Sequence, residues 1–393
     1  MRILFDLYTP QCFVGGAGEY IRKVFYTLLE VIREQSLDVE VVALVDSSFA
    51  GGRFAYPDLS PEHLRTLSVE VADVSGRTLL QVLSEHRIDK VFVGAAQYWG
   101  GAFDVESLTC PVVCVVHDLC NEEFAVSNVE WALYLDSLPR LLKTRLVAFL
   151  RQLRHPRSGV KRMLPIMRMA RQNRAFQLVT VSHYSSSSLA FHFDYPQERV
   201  KVLFSPARVS HADEAIANPT LQALVREGKK YYLMLSANRV PKNARKALRA
   251  FQRFAQTEAG RDACFVTVGY PTSQFPNHVV LPYLSESDLA QAMRHCYALL
   301  FPSIFEGFGY PPVEAMSYGK PVLAANVTSI PEVLGDAAIY FSPFYESDIF
   351  RALHVLTEAN YETYVQKSLA RSAEVAARQQ ADLDTLVRLL VTN

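Results

Sequence analysis

The chain reads as an α/β protein with two sheets of parallel strands, and three observations carry that reading. At 393 residues with 50% hydrophobic content, it is long enough to bury two ordinary cores rather than one. Short apolar runs alternate with helical patterns along its whole length, as strands covered by helices on both faces do. The runs fall into two sets divided by a polar segment at 210–230. Each set makes its own Rossmann-like sheet. Ligands of open α/β sheets bind beyond the carboxyl ends of the strands, so the two domains are expected to face each other across a cleft.

The first domain, 1–212, takes its strands from the runs 3–7, 39–45, 90–93, 112–116, 178–181 and 201–204. Its opening run leads to Gly15-Gly16-Ala17-Gly18 and then to a helical pattern from Tyr20 to Leu29, where missing side chains let backbone approach an anion. The spacing departs from G-x-G-x-x-G and the glycines stand well past the strand, which disfavours a hydride-transferring dinucleotide enzyme. Serines 185–188 follow strand-like Thr180-Val181-Ser182 and read as a loop capping a helix. From 137 to 193 there are 11 Lys and Arg residues and no Asp or Glu, leaving 29 basic against 40 acidic residues elsewhere. The basic helical segment 137–176 therefore has two readings. It is either a set of amphipathic helices outside the sheet, with Met163 to Met169 in the core, or a surface for an anionic membrane or charged acceptor. The second domain, 213–375, takes its strands from 231–235, 264–268, 279–281, 298–301, 322–325 and 338–341. A short amphipathic helix at 383–390 lies in the closing segment 376–393.

With 40 basic and 40 acidic residues the formal charge is zero, so no nucleic-acid partner is expected. No run approaches the roughly 18 apolar residues of a membrane span, and Met1-Arg2 leads directly into a strand, so the expected location is cytoplasmic. Six cysteines without a C-x-x-C pair fit reduced, mostly buried thiols. The D-x-D at Asp382-Leu383-Asp384 falls in a helical pattern, where two acids on a solvated face are expected rather than a magnesium site. Neither metal nor cofactor is expected.

The most informative stretch runs from Ser303 to Met316. It sets Glu306 and Glu314 eight residues apart around Gly307-Phe308-Gly309, just after the buried run 299–301. Pro311-Pro312 suits a helix first turn and Gly319 its C-cap, so backbone N–H groups after Gly309 are expected to favour a phosphate. Glu306, in the loop, can grip sugar hydroxyls, while Glu314, on the helix, can accept from a ribose diol. The plainer reading is a capped surface helix with two solvated acids. Two further segments bear on an anionic leaving group. Ser236-Ala237-Asn238-Arg239-Val240-Pro241-Lys242-Asn243 follows the first strand of the second domain and offers Arg239 and Lys242 to diphosphate oxygens. Val115-Val116-His117-Asp118 ends a buried strand with two polar groups, although a lone histidine there is commonly structural.

The run E-G-F-G-x-P-x-x-E resembles the signature of retaining glycosyltransferases of the GT-B superfamily, family 4 type (glycosyl transferases group 1). The segments 281–285, 320–326, 329–333 and 335–338 are similar to that family's C-terminal domain. The resemblance implies a GT-B fold and transfer of a hexose from a nucleotide-diphosphate sugar to a saccharide or lipid-linked saccharide, with retention and without a metal. It implies catalytic roles for His117, Glu306 and Lys242. It also implies donor and acceptor contacts from Gly15, Gly16, Asp118, Arg239, Tyr283, Leu284, Gly307, Phe308, Gly309, Tyr310 and Glu314, and a terminal helix packing back on the first domain. Ser236 stands where the family usually has Gly, and Pro241 where it often has Arg. The alternative is a GT-B module that holds a nucleotide sugar without turnover.

Overall fold

The computed structural model describes residues 1–12, 15–49, 56–120, 122–123, 158–208 and 215–392. They form two compact units, the first holding the described residues up to Arg208 together with 378–392, the second the described residues from 215 to Ala377. Seven parallel strands build the first unit: β1 (Arg2–Asp6), β2 (Glu40–Val45), β3 (Glu70–Asp73), β4 (Lys90–Val93), β5 (Val112–Val116), β6 (Phe176–Thr180) and β7 (Val200–Val202), ordered β3-β2-β1-β4-β5-β6-β7. Ile3 of β1 lies opposite Val41 on one side and Lys90 on the other. Helices cover both faces, so the central strands bury nearly every side chain and read as continuous apolar runs. Met163, Ile166, Met167 and Met169 of the helix Ser158–Gln172 are part of this core.

The second unit has six parallel strands: β8 (Tyr231–Met234), β9 (Cys264–Val268), β10 (His278–Leu281), β11 (Ala298–Phe301), β12 (Val322–Ala325) and β13 (Ala338–Phe341), ordered β10-β9-β8-β11-β12-β13. The helix Ala244–Phe254 lays Ala247, Leu248, Phe251 and Phe254 on this sheet, with Phe251 stacked on Phe265 at 4.9 Å. Burying each such phenylalanine contributes on the order of 1.5–3 kcal/mol. In both sheets the chain order reverses beside the first strand, between β1 and β4 and between β8 and β11. The loops after those strands are thereby neighbours at the carboxyl edge.

Four differences from the sequence reading have physical causes. The edge strand β3 buries only Ala72, so it shows no apolar run. The polar 210–230 segment contains the helix Pro219–Arg226, capped by Asn218, whose Oδ1 accepts from Leu221 N at 3.0 Å. Serines 185–188 lie within the helix His183–Phe193, and the cap is Ser182, whose Oγ accepts from Ser185 N at 3.1 Å. The terminal helix is Glu358–Val391 rather than 383–390. Its buried stripe begins with Ser368, Ser372 and Gln379, polar residues that hide the period from a hydropathy reading. Ser368 Oγ donates to Lys320 O at 3.0 Å and Gln379 Nε2 to Ser205 O at 2.6 Å, which makes their burial tolerable.

Of the basic block, Arg140, Lys143, Arg145, Arg151, Arg154 and Arg157 lie outside the described residues, as does the side chain of Lys161. Arg168 pairs with Glu106 at 3.2 Å, and Arg171 donates to the carbonyls of Phe193 and Asp194. Among the described residues no helix is long and apolar enough to cross a membrane.

Candidate active site

In the second unit the loops after β8 and β11 are tied together at the strand-order reversal. Ile304 N donates to Pro241 O at 2.9 Å, and Asn243 Nδ2 donates to Pro302 O at 3.3 Å and Pro343 O at 2.8 Å. This lacing brings Lys242 Nζ within 2.5 Å of Glu306 Oε1, with the two side chains only 11% and 15% exposed. The ammonium also stands 5.0 Å from the Phe301 ring centroid. Glu306 is fixed through its backbone, its N–H donating to Thr328 Oγ1 at 3.3 Å and its carbonyl accepting from Ser329 Oγ at 2.9 Å. Two opposite charges thus share a nearly dry spot, a costly arrangement unless each compensates the other. Arg239, by contrast, is exposed.

Ser236, which opens the β8 loop, has φ 52°, in the left-handed region that glycine occupies at no cost. This explains why a glycine suits that turn and why serine there is a departure. Gly309 has φ 94° and caps the helix Tyr310–Ser317. The expected cradle of backbone N–H groups after it is corrected by covalent chemistry: Pro311 and Pro312 have no N–H, so Tyr310 supplies the one donor among the first three helical residues. The helix start thus offers this edge fewer backbone donors than expected, beside the Lys242 ammonium. Glu314 is half-buried on this helix, Gly307 is half-buried, and Phe308 packs against Tyr310 at 5.5 Å. On the β9–β10 side Tyr283 is 66% exposed, its hydroxyl donates to Asn238 Oδ1 at 2.8 Å, and its ring end lies beside Gly269; Leu284 follows it, half-buried.

In the first unit His117 follows β5 and is 9% exposed. Its Nε2 lies 2.9 Å from Gly94 O, its ring meets Tyr20 edge-on at 4.8 Å, and its carbonyl accepts from Ser185 Oγ at 3.1 Å. Burial pushes the imidazole down to about 4, so it is neutral at physiological pH. Asp118 Oδ1 accepts from Cys120 N at 3.1 Å and turns the chain after the strand. Gly15 is exposed and caps the helix Gly16–Glu34 at φ 147°, its N–H donating to Tyr56 Oη at 3.3 Å. Sequence reasoning missed Asp6, the buried acid closing β1, whose carboxyl is pushed by burial up to about 6. The signal was present: a charged residue at the end of an otherwise apolar run.

Residues 221–354 match the family model described as glycosyl transferases group 1. With two parallel sheets of seven and six strands the chain has the GT-B fold, and the match to that family lies in its second sheet's segment. Among curated relatives, it is similar to O-antigen chain mannosyltransferase B of Escherichia coli, at 28% identity over 234 residues, 55% of this chain and 60% of that protein. The chain thus spans less than two thirds of that relative's length. Solved structures agree on the fold: sucrose-phosphate synthase from Thermosynechococcus elongatus has a TM-score of 0.66 at 12% identity, covering 99% of this chain and 98% of that one. HepE from Anabaena, solved in complex with UDP-glucose, has a TM-score of 0.60 at 17% identity, covering 98% and 99%.

Proposed function

We propose that this chain is a retaining, metal-independent hexosyltransferase. It moves a sugar from a nucleotide diphosphate to a saccharide or lipid-linked saccharide during polysaccharide or glycan synthesis. The name of the Escherichia coli relative points to mannose as the sugar to test first. The observation that carries the reading is the Lys242–Glu306 pair at 2.5 Å, held in the segment that matches the family model. As the glycosidic bond breaks, negative charge gathers on the diphosphate, and a fixed ammonium in a water-poor site stabilises it. An arriving diphosphate competes with Glu306 for Lys242, releasing the carboxylate toward the sugar hydroxyls. His117, neutral, accepts from a sugar hydroxyl. The leaving phosphate oxygen takes the acceptor's proton, so these residues need supply no separate base. Glu314, on the helix after Gly309, takes the ribose diol, and Tyr283 and Leu284 belong to the nucleotide side. A cytoplasmic location, with the basic segment 137–176 touching an anionic membrane or acceptor, completes the proposal.

Product analysis with a panel of UDP- and GDP-hexoses tests it, alongside thermal shift with UDP and GDP. A nucleoside diphosphate that binds the native state raises the melting temperature by mass action. Glu306→Ala is expected to abolish transfer and keep that shift, whereas Glu314→Ala weakens the nucleotide. Equal nucleotide loss in both variants overturns the division of roles. Binding without any product from the whole panel leaves a GT-B module that holds a nucleotide sugar without turnover.

A further inference from the structure

We propose that Asp6 is a positioning residue for His117, acting through Gly94. The inference rests on the reading of His117 as a group that meets substrate. Asp6, Gly94 and His117 lie at the carboxyl ends of β1, β4 and β5, three adjacent strands beside the reversal of strand order. Asp6 is fully buried and accepts three hydrogen bonds: from Thr9 N at 2.9 Å on Oδ1, and from Thr9 Oγ1 at 2.8 Å and Gly94 N at 3.0 Å on Oδ2. Gly94 in turn accepts at its carbonyl from His117 Nε2 at 2.9 Å. A carbonyl only accepts, so Nε2 carries the ring proton and Nδ1 keeps its lone pair. No protein partner meets Nδ1 among the described residues, which leaves it for a hydroxyl of the ligand.

The chain of contacts tolerates little change. A Cβ at residue 94 would meet Ile21 Cγ1 at 2.3 Å, so only glycine brings this backbone close enough to serve both Asp6 and His117. A carboxylate suits three donors because both its oxygens only accept. Asparagine at that place turns its N–H toward either Gly94 N, which then loses its anchor, or Thr9 N, which then loses its acceptor and unsettles the turn that holds residue 6.

The test is ¹⁵N NMR of histidine-labelled full-length protein, with His117→Gln assigning the His117 signal among the ten histidines. In wild type, His117 is expected as the neutral Nε2–H tautomer. In Asp6→Asn the tautomers mix, and kcat falls by about 10- to 100-fold, the scale of a small misplacement of a contact group. The thermal shift with nucleoside diphosphate persists. Thr9→Val, a milder change that strips one donor from the oxygen that holds Gly94, moves the His117 signals in the same direction by less. An Nδ1–H tautomer in wild type overturns the proposal, and so do His117 signals that stay unchanged in both variants. The tautomer readout needs no turnover, so a wild type that transfers no sugar overturns the glycosyltransfer reading and leaves this test standing.

Discussion

Lys242 and Glu306 are ordinary surface residue types that this fold hides together as a pair. Removing one partner of a buried pair leaves an uncompensated charge and typically costs about 3–5 kcal/mol, whereas replacing both with neutral groups of similar shape is far milder. Lys242→Ala is therefore expected to lose both stability and activity, with kcat/KM down on the order of 10²-fold. Lys242→Met combined with Glu306→Gln is expected to regain the stability and none of the transfer. Denaturation and steady-state rates on the same preparations separate the two effects; transfer at the wild-type rate by either variant assigns the pair to structure alone. His117 makes a second residue-scale prediction. Its folded pKa of about 4 lies below the ordinary 6.5, so between those values the unfolded state binds more protons. Its contribution is complete above pH 6.5 and is lost as pH falls toward 4. The stability difference between wild type and His117→Gln should shrink over that window by about 3 kcal/mol, which urea denaturation at several pH values measures. The opposite slope contradicts a neutral His117. Asp6 opposes this trend in wild type: its raised pKa makes the native state bind the extra proton between pH 4 and 6, so its cost is relieved as pH falls.

At the scale of elements, the helix Glu358–Val391 depends on contacts that its own hydropathy does not announce. Lys90, buried at the start of β4, donates its ammonium to the carbonyls of Leu389 at 3.1 Å, Leu390 at 3.3 Å and Thr392. Those carbonyls end a helix and have no partner within it, so a cation satisfies both the hydrogen bonds and the helix dipole. Burial alone lowers the Lys90 pKa, and the carbonyls are what make its charge tolerable there. Farther up the helix, Asp382 Oδ2 accepts from Phe204 N at 2.8 Å, and Arg378 lies 3.8 Å from the Phe204 ring. Lys90→Met is expected to destabilise the protein by about 2 kcal/mol, the range for hydrogen bonds to a charged group. Amide exchange across 378–391 should quicken more than in the second unit. Uniform exchange would show that the helix end is held by packing alone.

For the whole molecule, the proposed charge stabilisation by Lys242 and the engagement of Asp382 with Phe204 N lead to a further expectation: transfer survives excess EDTA. Loss of activity that magnesium or manganese restores would replace that scheme. The protein is also expected to sediment with anionic vesicles at low salt and to be released as ionic strength rises, because screening weakens surface charge attraction. Changing Arg151, Arg154 and Arg157 to Glu should abolish this; if wild type ignores the vesicles, the block is a solvated face. The amino-acid order by itself determined the two sets of parallel strands, the Gly309 turn into a helix and the motif carrying Glu306 and Glu314. Each of these is written in neighbouring residues whose burial or backbone angles follow from local pattern. The absent donors at Pro311 and Pro312 were equally legible. Only the tertiary structure decided that Lys242 meets Glu306, that Asp6 reaches His117 through Gly94, and that polar Ser368, Ser372 and Gln379 continue a buried helix face. Strand order sets those pairings by joining residues far apart in sequence at one sheet edge, and no local periodicity encodes which loops that edge brings together.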